Sequence, residues 1–90
     1  MDRARTLQIA NLVLDADELF DKAKAPHNVE FAVGRYPEIW IHENIGKQND
    51  KCFRYQSFTV LVSEKRDEHL EAAEAHIRQL MEGVLTSVPA

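Results

Sequence analysis

A chain of 90 residues with a formal net charge of −4 has room for one hydrophobic core, and its long-range field repels nucleic acid and anionic lipid. The single cysteine, Cys52, excludes an intrachain disulfide and a thiolate-rich zinc site built from one copy, so a reducing, cytoplasmic setting is expected. The N-terminus is charged, the apolar residues after it are broken by Gln8, Asn11 and Asp15, and no stretch approaches the ~20 apolar residues of a membrane span, so neither secretion nor membrane insertion is expected.

From about Arg3 to Lys24 there is no Pro or Gly, and at 100° per residue Ile9, Leu12, Val13, Ala16, Leu19, Phe20 and Ala23 gather on one side. This predicts an amphipathic helix about six turns long. A thinner ridge of Leu7, Ala10 and Leu14 falls nearly opposite, among Arg3, Asn11, Glu18 and Asp21. The helix is therefore apolar on two sides, and only one of them is needed for a core.

Pro26 ends the helix, because its ring and missing N–H do not continue the turn. From Asn28 to Gly34 the period changes to two, with Val29, Phe31 and Val33 on one face and Glu30 and Ala32 on the other. Gly34-Arg35-Tyr36-Pro37 supplies turn chemistry, and Glu38 to Ile45 alternates again, Ile39 and Ile41 opposing Trp40 and His42. These segments predict a hairpin whose register pairs Phe31 with Ile41 and sets Glu30 opposite His42.

A polar loop, Gly46 to Lys51, precedes a third strand expected from about Phe53 to Val62. Placing Phe58, Val60 and Val62 inward puts Tyr55, Thr59 and Leu61 on the outer face. Ser63 is the expected N-cap of a second helix opening at Glu64, with Leu70, Ala73, Ile77, Leu80, Met81 and Val84 as its apolar stripe. Gly83 is expected near its end, residues 1–85 as a single domain, and Thr86 to Ala90 as a frayed tail. The expected fold is a two-layer α+β domain: helix, three-stranded antiparallel meander, helix, with both helices on one face of the sheet.

The order of elements, with Ala72, Ala73 and Ala75 in the second helix, is similar to that of the double-stranded RNA-binding domain, and the resemblance covers most of the chain. It implies duplex RNA binding as an alternative function. That family straddles phosphates with several lysines at the start of the second helix. The equivalent stretch here, Glu64-Lys65-Arg66-Asp67-Glu68, has a net charge of −1, and the first helix is about two turns longer than that family's.

Little in the sequence points to catalysis. His69 and His76 lie on one side of the second helix but ~10.5 Å apart along its axis, too far to share an ion, and both sit at the boundary of the apolar stripe. His27 reads as a solvated turn residue. The Glu30 and His42 pair favours the charged form of both groups, yet it is also an ordinary cross-strand contact. Cys52 lacks an evident base, and there is no Gly-rich phosphate loop, Ser-x-x-Lys or paired-carboxylate motif. No catalytic, metal-binding or cofactor-binding residue is assigned.

What remains is an uncovered outer sheet face carrying Ala32, Trp40, His42, Tyr55, Thr59 and Leu61, together with the Leu7, Ala10, Leu14 ridge. Trp and Tyr are enriched among interface anchors, and Trp40 is the expected anchor here. The expected function is a non-enzymatic protein-binding or self-assembly module, a small accessory or regulatory protein that forms a homodimer or binds another protein. Nucleic-acid binding is one alternative, and an enzyme or ligand-binding domain with its site between subunits is another.

Overall fold

Buried Ile9, Leu12, Val13, Ala16 and Phe20 recur at helical spacing, and they organise the first element of the computed structural model, which describes residues 3–58 and 67–87. The elements are α1 (Arg3–Ala23), β1 (Asn28–Ala32), β2 (Glu38–Glu43), β3 (Lys51–Gln56) and α2 (Glu68–Ser87).

Helix α1 stops in a double-bonded turn before Pro26 is reached. Lys24 adopts a left-handed conformation with φ 53°, its N–H donates to the Asp21 carbonyl at 3.2 Å, and the Ala25 N–H donates to the Phe20 carbonyl at 2.8 Å. These bonds satisfy two carbonyls that a bare helix end leaves open. Pro26 then keeps the chain from turning further, and an Asp17 carboxylate oxygen accepts the Val29 N–H at 3.1 Å, tying β1 back onto α1. Burial raises the Asp17 carboxyl above its ordinary range, the Val29 N–H opposes that rise, and the Glu30 charge adds to it.

The sheet order is β1-β2-β3, all antiparallel. Val29, Ile39 and Ile41 are buried on its inner face, with Phe31, Phe53 and Tyr55 partly buried beside them. They pack against Ile9 to Phe20 of α1 and against Leu70, Ala73, Ile77 and Val84 of α2, so both helices cover one face in a two-layer α+β arrangement. The strands β1 and β3 run in the same direction, and each helix packs back antiparallel along its edge of the sheet: Asp17 of α1 meets the start of β1, and His76 of α2 meets Tyr55 of β3. Among the described residues no helix is long and apolar enough to cross a membrane.

Several expectations from the sequence are corrected. The hairpin pairs Phe31 with Ile39 and Glu30 with Trp40, two residues from the expected register. A slip of two keeps every side chain on its face, so the inward and outward sets on these strands survive it. Strand β1 ends at Ala32, and Val33, expected inside, is 67% exposed in the turn. Strand β3 ends at Gln56. Ser57 follows it on the inward parity of Phe53 and Tyr55: it is buried, donates its N–H to the Pro37 carbonyl at 2.8 Å as the next rung of the ladder, and donates its hydroxyl to Asp67.

Phe58, expected inside, is consequently 64% exposed, and Tyr55, expected outside, faces the helices. Thr59 to Val62, Ser63 and Glu64 lie outside the described residues. The cap of α2 is Asp67, whose carboxylate accepts the N–H groups of His69 at 3.1 Å and Leu70 at 3.3 Å, and the helix opens at Glu68. Gly83 does not end α2, which runs on to Ser87.

Candidate interaction surfaces

The outer side of α1 carries the ridge that its periodicity singles out. Leu7 and Leu14 are 55% and 65% exposed, Ala10 between them is half-buried, and Arg3, Asn11, Glu18 and Asp21 beside them are exposed. The inner side of the same helix is the core, so these leucines cannot reach it without rotating the helix and expelling Ile9, Val13 and Ala16. Glu18 has one neighbour along the helix, Lys22, at 3.2 Å with both side chains mostly exposed.

The outer face of the sheet holds three cross-strand rows: Asn28, His42 and Cys52; Glu30, Trp40 and Arg54; Ala32, Glu38 and Gln56. Trp40 stands at the centre, and its own chain half-covers it. The Arg54 guanidinium lies over the indole at 5.4 Å, the Trp40 Nε1–H donates to Glu38 Oε2 at 3.1 Å, and Arg54 closes the group by donating to the other Glu38 oxygen. The Arg54 bond holds the Glu38 carboxyl below its ordinary range; desolvation, the next largest effect, opposes it, and the Trp40 bond and the Arg54 charge add to the lowering.

His42 and Glu30 do meet, at 3.6 Å, as diagonal neighbours and not as direct partners. Ala32 and Cys52 are exposed on this face, Tyr55 is not on it, and Leu61 lies outside the described residues.

The polar group that sequence periodicity missed sits between the layers. The Nε2–H of His76 donates to Glu43 Oε1 at 2.6 Å, which leaves Nδ1 as an acceptor, and the Tyr55 hydroxyl donates to it at 2.9 Å. The Phe53 ring packs edge-on against the imidazole with centroids 4.6 Å apart. One side chain of α2 is thereby bound to both β2 and β3.

His27, expected to be solvated, accepts the Asn44 N–H on Nδ1 at 3.2 Å and packs edge-on against Phe20, pinning the helix-to-strand turn onto the β2–β3 loop. The only sequence signal for His76 was its place at the edge of an apolar stripe, and His27, read as a solvated turn residue before the first strand, carried none. Among the described residues no group of three or more His, Cys, Asp and Glu side chains is arranged to hold a metal ion.

No known protein family, curated protein or solved structure matches this chain.

Proposed function

We propose that this chain is a non-enzymatic, self-associating module, a small accessory or regulatory protein of the cytoplasm, and that it assembles through the Leu7, Ala10, Leu14 ridge of α1. The observation that carries the reading is the exposure of both leucines on a helix whose opposite side already supplies the core. Burying a leucine fully contributes about 1.5–3 kcal/mol relative to leaving it in water, and a symmetric contact buries the pair from each copy. Four leucines give about 6–12 kcal/mol against an association cost of about 4 kcal/mol or more, which supports a dimer of at most micromolar strength and not a nanomolar one.

Support for leaving catalysis out comes from where the titratable groups stand. Glu43, His76 and Tyr55 are bonded to one another between helix and sheet, a position in which they fix packing.

A second surface for a protein partner is the outer sheet face, where an aromatic and an arginine lie together at the centre. Trp40 and Arg54 already satisfy each other there, so this face ranks below the leucine ridge.

Sedimentation equilibrium from about 1 to 100 μM spans the affinity expected. The expected result is a weight-average mass that climbs from the monomer value of 10.3 kDa toward twice that. A mass that stays at the monomer value throughout overturns the reading.

A further inference from the structure

The ridge of α1 is charged at both ends, with opposite signs. Arg3 stands one turn before Leu7, and Glu18 one turn after Leu14. All four side chains fall on the outer side of the helix, and all four are exposed.

We infer that the occupant of this ridge is a second copy of the chain, docked so that the two α1 helices pack antiparallel about a two-fold axis passing between Ala10 and Asn11. This rests on the self-association proposed above and specifies its geometry.

The spacing selects that axis. Leu7 and Leu14 are equally distant from a point between Ala10 and Asn11, and Arg3 and Glu18 are equally distant from the same point, about 11 Å along the helix on either side. A two-fold axis there places Leu7 against the partner's Leu14 and Arg3 against the partner's Glu18, and each contact occurs twice. The small side chain of Ala10 at the crossing lets the two backbones approach. A parallel arrangement stacks Arg3 on the partner's Arg3 and Glu18 on the partner's Glu18, and like charges facing each other oppose it. The existing Glu18 and Lys22 contact, fully on the surface, is weak enough to be rearranged. Because the ridge is opposite the core, the two domain bodies lie on far sides of the paired helices.

Charge reversal tests the register. In the intact chain at low salt, Arg3→Glu and Glu18→Arg are each expected to weaken dimerisation by about tenfold, since each sets two like-charge contacts across the axis. The combined variant restores both pairs with reversed polarity and is expected to return to within about threefold of the parent. Leu14→Asp is expected to give a monomer with unchanged helical circular dichroism, because the side chain lies outside the core.

A parent chain that is monomeric throughout overturns both the self-association and the geometry. A dimer untouched by Leu14→Asp overturns the ridge and leaves self-association through another face standing. A combined charge variant no better than the weaker single variant overturns the antiparallel register alone.

Discussion

The hydroxyl of Tyr55 meets Nδ1 of His76 at 2.9 Å, and through that contact the edge strand β3 is fastened to helix α2. The imidazole is only 14% exposed and is held from its other nitrogen by Glu43. Tyr55→Phe keeps the ring's packing and removes the donor, so Nδ1 is left in a largely dry site without the phenol. The expected loss is about 1–2 kcal/mol of unfolding free energy, measured by urea denaturation near neutral pH. No loss at all would mean that solvent already satisfies this nitrogen.

The same phenol makes the fold sensitive to alkali. Burial first, and the Glu43 charge second, raise its pKa above the ordinary tyrosine value of 10.0. A folded group that holds its proton more tightly than the unfolded one contributes stability that is complete below pH 10.0 and is lost as pH rises through the higher folded value. Because alkali acts on the whole chain, the informative quantity is the difference between parent and Tyr55→Phe. That difference is expected to shrink as the pH of urea denaturation is raised from about 9 to 11. A difference that stays constant across that range removes the assignment.

These contacts also show where the sequence stops being legible. Helix α1 and the inner residues of β2 could be read because their patterns are local: a stripe at helical spacing, and alternation around Ile39 and Ile41. The parity of β3 was counted from Phe58 as an inward residue, whereas Phe53, Tyr55 and the small polar Ser57 form the inward set and Phe58, beyond the strand, is exposed, so the count was off by one. The partners of His76 are 33 and 21 residues away, and periodicity carries no information about such pairs. The Glu30 and His42 contact survived a wrong register because a slip of two residues turns a direct pair into a diagonal one. The exposed α1 ridge was legible because it required only the helix to be right.

The Trp40 cluster predicts an acid transition in fluorescence. Glu38 accepts both the indole N–H and the Arg54 guanidinium, and the Arg54 bond is the larger cause of its lowered pKa. A carboxyl lowered on folding stabilises the fold above its ordinary value of 4.5, and that stabilisation is lost as pH falls through the lower folded value. Protonation releases Arg54 from Glu38 and changes what lies over the indole. Trp40 is the only tryptophan, so its emission reports this directly: a shift below pH 4.5 in the parent, absent in Glu38→Gln. At neutral pH Arg54→Ala is expected to shift the emission to the red by uncovering the ring, and an unshifted spectrum would refute the stacking.

Duplex RNA and DNA are expected not to bind at ~150 mM salt. On the outer sheet face Arg54 is offset by Glu30 and Glu38, and the chain as a whole is acidic, so the counterion release that drives phosphate binding has little to draw on. Sub-micromolar affinity in a mobility-shift assay would revive the resemblance in element order as a functional one.

Two glycines are expected to respond to alanine with opposite signs. Gly83 lies inside α2, four residues before its end, and a Cβ built there meets nothing within 4 Å. Glycine in a helix interior costs about 0.5–1 kcal/mol relative to alanine, mostly because the unfolded chain has more conformations to lose. Gly83→Ala should therefore stabilise the domain by that amount and raise its melting temperature by roughly 2–8 °C. A Cβ at Gly46 also meets open space, but the residue sits at φ 76° in the loop between β2 and β3, where an L side chain is strained whatever the room around it. Gly46→Ala should cost about 1–2 kcal/mol and lower the melting temperature. Space is equal at the two positions, so backbone conformation alone sets the sign. Two shifts in the same direction would mean that one of these backbone assignments is wrong, and a fall at Gly83 would point to α2 ending there as its sequence first suggests.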